Sequence, residues 1–91
     1  MSWGTKIERE KHKRIRLSLA AYSYEFRSHS IMSDGEYDEL SRQINPEIKT
    51  GHRDLDEFFV DGFDPNTGMW IHRHPELHRV EALYKKLYRK K

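Results

Sequence analysis

Apolar residues near the start of the chain recur at helical spacing, three or four positions apart: Ile15, Leu19, Tyr22 and Phe26. Residues at this spacing share one face of an α-helix. The pattern therefore predicts a first helix over residues 5–27, with these residues as its core-facing stripe. Tyr24 lies nearly opposite the stripe, near a second apolar set, and we expect another part of the chain, a partner or a ligand to cover that face. Residues 6–16 are so highly charged that we expect them to form a solvated part of the helix.

A capping signal predicts a second helix after a short connection at residues 28–32. Ser33 stands three residues before Glu36, and such a pair forms a capping box in which each side chain bonds the other residue's backbone. Small and apolar residues then recur on one face: Tyr37, Leu40, Ser41 and Ile44. The helix is expected to end near Ile44, because a proline such as Pro46 disfavours helical backbone at the residue before it. Two helices joined by a short loop form an αα-hairpin.

A short aromatic helix is predicted next, with Asp54 as its candidate cap. Its apolar face consists of Leu55, Phe58, Phe59 and Phe63. Gly62 stands where such a helix could end. Residues 64–68, Asp-Pro-Asn-Thr-Gly, are a strong turn signal, and residues 69–72 are expected to be a short extended segment.

A last helix is predicted from His74 or Pro75 to Arg89, since proline is favoured in the first turn of a helix. Its buried stripe is formed by Leu77, Val80, Leu83, Tyr84 and Leu87. We therefore predict one small all-α domain over residues 1–91. It consists of an αα-hairpin, a short helix, a turn or short extended segment, and a C-terminal helix.

The composition excludes several kinds of structural feature. The chain has 91 residues and no cysteine, which excludes disulfides and thiolate metal sites. No apolar run approaches the ~20 residues that a membrane span requires. We therefore expect a cytoplasmic protein, in the host cytoplasm if it is phage-encoded, with no membrane partner.

Charge is distributed unevenly along the chain, although the net charge is only +2. Basic ends flank an acidic middle. The ends could fold against the middle, or they could form a surface for nucleic acid, an anionic ligand or a protein partner. The candidate surface lies on the last helix and comprises Arg79, Lys85, Lys86, Arg89 and Lys90.

Two short motifs stand at a fixed separation: Tyr22-Ser23-Tyr24-Glu25 and, eight residues later, Asp34-Gly35-Glu36-Tyr37-Asp38. This run resembles the small helical domain at the N-terminus of NAD-dependent DNA ligases. In those ligases a pattern of roughly Y-x-Y-H, eight residues and D-x-E-Y-D binds the nicotinamide mononucleotide (NMN) half of NAD. The resemblance covers about residues 15–44, with Glu25 where the ligases have histidine. Residues 54–91 resemble short bacteriophage proteins catalogued as ligase-related.

The resemblance implies NMN or NAD as the ligand, and it implies a set of binding residues: Tyr22, Tyr24, Glu25, Asp34, Tyr37 and Asp38. These residue types suit the ligand. The oxidised nicotinamide ring is a flat cation that an aromatic face attracts, and carboxylates accept hydrogen bonds from ribose hydroxyls. Structural roles are also open: Tyr22 lies on the core stripe, Tyr37 shares a face with Leu40, and both aspartates suit a helix start.

Catalysis is not expected, because the chain has no K-x-D-G motif and so lacks the lysine that accepts AMP in a ligase. His72, His74 and His78 could be placed together, but we expect surface histidines and no metal. Two hypotheses remain. The chain is an NMN- or NAD-binding module that acts alone or with a nucleotide-processing protein. Alternatively, it is a protein- or nucleic-acid-binding accessory or inhibitor that reuses the helical pair as a scaffold.

Overall fold

A computed structural model describes residues 5–88, and these residues form helices joined by turns. The elements are α1 (Lys6–Arg27), α2 (Asp34–Gln43), α3 (Arg53–Asp61), a 3-10 helix (Met69–Arg73) and α4 (Leu77–Tyr88). The long α1 is central, since α2, α4 and the 3-10 helix all contact it. The prediction of an all-α fold with four α-helices is confirmed.

The buried face of α1 differs from the predicted stripe. Leu19 and Tyr22 are buried, but Ile15 and Phe26 are 45% and 42% exposed. Leu17 and Ala21 are instead in the core. The second half of the chain packs on the face that the prediction left uncovered, and this packing rotates the buried sector of the helix.

The charged first half of α1 is partly buried, so the prediction that residues 6–16 are solvated is wrong at two positions. Glu10 is 1% exposed and Arg14 is 5% exposed. Arg14 Nε donates to Glu10 Oε2 at 2.8 Å, and its Nη1 donates to Asp56 Oδ1 at 2.9 Å. Its Nη2 donates to the carbonyl oxygens of Asn45 and Ile48, both at 3.0 Å. This network attaches α1 to α3 and to the segment between α2 and α3.

The helix caps follow local chemistry with one exception. Ser33 and Glu36 form the predicted capping box at the start of α2. At α3, however, the cap is His52 and not Asp54, because His52 Nδ1 accepts the N–H of Leu55 at 3.4 Å. Gly62 follows the end of α3, as predicted, and donates its N–H to the carbonyl of Phe58.

Replacing the α2 cap tests how much of this hairpin depends on local signals. Ser33→Ala is expected to lower the free energy of unfolding by about 1 kcal/mol, because the Glu36 N–H loses its acceptor. Urea unfolding followed by circular dichroism measures the change. Ser33→Asp is the matched control, since aspartate also caps and should retain near-normal stability. Equal losses for both variants would contradict a capping role.

Residues 69–73 form a 3-10 helix, and the predicted extended segment is wrong there. Trp70 and Ile71 are both buried, whereas adjacent residues of a strand point to opposite faces. Burying both in one core therefore requires a helical turn. The Trp70 ring packs against Phe58, Phe59 and Phe63, with ring centroids 5.0–6.0 Å apart.

The last helix begins later than predicted, at Leu77, because Pro75 lies in the turn before it. Val80 and Tyr84 are buried as expected, but Leu87 is exposed. The predicted end at Arg89 lies outside the described residues. Within residues 5–88, no helix is long and apolar enough to cross a membrane.

Candidate functional site

A cavity of about 220 Å³ lies where α1, the start of α2 and the turn before the 3-10 helix meet. Four of the six predicted ligand residues line it: Tyr24, Asp34, Tyr37 and Asp38. The remaining wall is formed by Ala20, Ala21, Ser30, Ile31, Met32, Asn66, Thr67 and Gly68. The fold therefore brings residues from both motifs, and from the second half of the chain, to one opening.

Asp34 and Asp38 give this cavity its acidic side. They are four residues apart near the start of α2, so both lie on one helix face. Both are exposed, and neither lies within 4 Å of a cationic group among residues 5–88. Two carboxyl groups are thus available to accept hydrogen bonds.

Tyr24 supplies an uncovered aromatic ring. It is 64% exposed, and within residues 5–88 its ring stacks on no other aromatic side chain. The second half of the chain buries its neighbour Ala21 but leaves Tyr24 open. The face that was expected to need a cover is therefore covered only in part.

Tyr37 forms a fixed part of the wall. Its hydroxyl accepts the indole N–H of Trp70 at 3.0 Å and donates to the carbonyl of Thr67 at 3.4 Å. Burial raises the pKa of the Tyr37 hydroxyl above its ordinary value of 10, and the negative charge of Glu25 acts in the same direction. The phenol therefore stays neutral at physiological pH and presents a ring and a dipole, not a base.

Tyr22 and Glu25 do not line the cavity. Tyr22 packs in the core, with its ring 5.0 Å from that of Phe26 and 5.3 Å from that of Tyr84. Oε1 of Glu25 lies 3.0 Å from Nε2 of His72. Both side chains therefore serve contacts between α1 and the second half of the chain.

Sequence reasoning missed the part that residues 66–68 play in this cavity. The Asp-Pro-Asn-Thr-Gly run predicts a turn, and a turn forms there, but nothing in it indicates which surface the turn meets. Gly68 lies close enough that a Cβ on it would be 3.7 Å from Ala21 Cβ and from the Tyr37 hydroxyl. The turn therefore lies directly against the helical pair, with room for a methyl group at this position.

The basic surface predicted on α4 is of mixed sign where it is described. Nη1 of Arg79 lies 3.5 Å from Glu76 Oε1, and Nζ of Lys85 lies 3.3 Å from Glu81 Oε2. Lys86 is exposed, and Arg89 and Lys90 lie outside the described residues. A role for this face in binding nucleic acid or a protein remains a prediction.

The three histidines near the start of α4 have separate environments. His72 pairs with Glu25, His74 is buried beside aromatic rings, and Nε2 of His78 lies 3.9 Å from Glu76 Oε1. Among residues 5–88, no three histidine, aspartate or glutamate side chains are grouped so that they could hold a metal ion.

Comparisons with protein-family models, with curated proteins and with solved structures give no significant match to this chain. The resemblance to the ligase domain therefore depends on the motif residues alone.

Proposed function

We propose that this chain is a small non-catalytic module that binds NMN, or the NMN half of NAD. The observation that carries the proposal is the cavity at which Tyr24, Asp34, Tyr37 and Asp38 meet. The resemblance to the ligase motif implies these residues, and a shared cavity is not required by their alternative roles as core residues or helix-start charges.

The side chains around the cavity suit the chemistry of this ligand. The exposed ring of Tyr24 can stack on the nicotinamide cation, an interaction of about 0.5–2 kcal/mol. Asp34 and Asp38 can complement its charge and accept hydrogen bonds from ribose hydroxyls. Tyr37 is held by Trp70 and can form a rigid side of the pocket.

The size of the cavity favours half of a dinucleotide over the whole. About 220 Å³ is smaller than the ~300–1,000 Å³ of pockets that enclose drug-sized ligands. An open site of this size makes few contacts, so we expect a Kd of about 1 mM for NMN. A nucleotide-processing partner that covers the exposed ring of Tyr24 would raise the affinity.

A titration with NMN, followed by two-dimensional NMR, tests the proposal. The amide signals of Tyr24, Tyr37 and Asp38 are expected to shift saturably. NAD should shift the same signals, since it contains the NMN group. Asp38→Asn should weaken binding about tenfold, because it removes one charged acceptor from the wall.

Asp54→Asn is the matched control, since Asp54 is an exposed acid in the first turn of α3 and lies away from the cavity. It should leave NMN affinity unchanged. The absence of any shift at these three residues at 20-fold the expected Kd would exclude the proposal. Equal weakening by the two asparagine variants would show attraction to net charge alone.

A further inference from the structure

A second, larger cavity of about 570 Å³ lies between the first half of α1, the start of α3 and α4. It shares no lining residue with the cavity that Tyr24 and Asp38 line. Its volume falls within the ~300–1,000 Å³ typical of small-molecule sites. Six of its fifteen lining residues are large and apolar: Ile15, Leu19, Leu55, Phe59, Val80 and Leu83.

One apolar side chain of the predicted core stripe is exposed in this cavity. Ile15 belongs to the predicted core stripe of α1 but is 45% exposed, and it lines this cavity. Leu19, one turn further on, is buried at the cavity floor. The stripe therefore continues from the core into the open cavity, where an apolar ligand would complete its burial.

Lys11 differs from the other lysine and arginine side chains on the wall in having no ion pair. Arg14 bonds to Glu10 and Asp56 at 2.8 and 2.9 Å. Arg79 and Glu76 also line the cavity and pair at 3.5 Å. Lys11 has no carboxylate within 4 Å among residues 5–88. Lys11 is therefore the ammonium group that can pair with a ligand carboxylate.

Along α1, the cavity has a charged end and an apolar end. Lys11, Ile15 and Leu19 are spaced four residues apart, so they form one row along the helix. The row is about 12 Å long at 1.5 Å per residue. Charge stands at one end of this row and buried apolar surface at the other.

From this polarity we infer that the cavity binds a small amphipathic monoanion, a molecule with one carboxylate on an aliphatic body. The carboxylate would pair with Lys11, and the aliphatic body would lie along Ile15 and Leu19 towards α4. One lysine without an ion pair can bind one carboxylate. The three surrounding elements enclose a volume suited to a small molecule.

Decanoate, used below its micelle concentration, is a suitable probe. Methyl NMR signals of Ile15, Leu55, Val80 and Leu83 are expected to shift saturably, with a Kd on the order of 0.1 mM. Lys11→Glu should weaken decanoate binding at least tenfold and should favour decylammonium instead. Lys13→Glu is the matched control, because it makes the same charge change on the same helix outside the cavity. It should leave both affinities nearly unchanged.

Ile15→Trp provides a second test that does not alter charge. Because Ile15 is half exposed, a larger ring can occupy the cavity without entering the core, so circular dichroism should be unchanged while decanoate binding is lost. Unshifted methyl signals would overturn the inference, as would equal binding of decanoate and decanol, or equal effects of the two glutamate variants. Tight binding of an acidic helical peptide, with shifts that extend beyond the cavity, would instead identify a protein-docking groove.

Discussion

Arg14→Met is expected to lower the free energy of unfolding by about 3–5 kcal/mol, the usual cost of removing one partner from a buried ion pair. Methionine fills similar space but leaves the carboxylates of Glu10 and Asp56 buried without their cation. It also leaves the carbonyls of Asn45 and Ile48 without a donor. Domains of this kind are stable by only about 5–15 kcal/mol, so the loss would be a large share of the total.

Urea unfolding followed by circular dichroism measures the effect of Arg14→Met. Arg16→Met is the matched control, because Arg16 is exposed on the same helix, and its replacement should change stability by less than about 0.5 kcal/mol. Arg14→Lys should give an intermediate loss, since an ammonium group cannot reproduce the planar fork of the guanidinium. Similar stabilities for the two methionine variants would show that the network contributes little.

Acidification is expected to destabilise the protein by about 3 kcal/mol between pH 7.5 and pH 4 through His74 alone. Burial lowers the pKa of His74 from its ordinary value of 6.5 to about 4. The side chain is 9% exposed and packs beside Phe58 and Phe59. Its Nδ1 accepts the N–H of Glu76 at 3.0 Å, and protonation at Nδ1 removes that acceptor.

The sign of the effect follows from proton binding. Between pH 6.5 and 4 the unfolded chain protonates His74 while the folded chain does not, so stability falls as the pH falls. About 2 kcal/mol should be lost by pH 5.

Burial alone raises the pKa of Asp56, but hydrogen bonds from Thr50 and the pair with Arg14 outweigh it and lower that pKa below 3.8. The stability that Asp56 contributes is therefore present above pH 3.8 and is lost on further acidification.

His74→Asn separates this titration from packing. The amide oxygen of asparagine can also accept the N–H two residues later, but it does not titrate. The variant should be less stable than the parent at pH 7.5, because it loses contacts with the aromatic rings. Between pH 7.5 and 5, however, the stability of this variant should decline by about 2 kcal/mol less than that of the parent. Parallel pH profiles for the two proteins would exclude His74 as the source.

The candidate site was predictable in part of its residues but not in its shape. The resemblance to the ligase motif implies Tyr24, Asp34, Tyr37 and Asp38, which line the cavity, and also Tyr22 and Glu25, which do not. No sequence signal indicates that Asn66 and Thr67 complete the wall. Their approach depends on packing between segments about 30 residues apart.

The buried charges of α1 also depend partly on local spacing and partly on long-range packing. Glu10 and Arg14 stand four residues apart, and side chains at this spacing are neighbours on one helix face. Burial of that pair follows from Asp56 and the carbonyl of Asn45, which the fold brings to it. The high charge of residues 6–16 predicts that they are exposed. This prediction fails at Arg14 because the distant carboxylate of Asp56 pairs with it.

The sequence alone determined the bounds of α1 and α2 and the end of α3, because capping residues, proline and helical periodicity act between residues a few positions apart. Ser33 with Glu36, Gly62 and Pro46 are such local signals. The tertiary structure alone decided which faces are buried. It turned Leu17 inward and Ile15 outward, bent residues 69–73 into a 3-10 helix, and placed one cavity on each side of α1. Burial depends on contacts between distant segments, and their free energy exceeds the local preferences of any single residue.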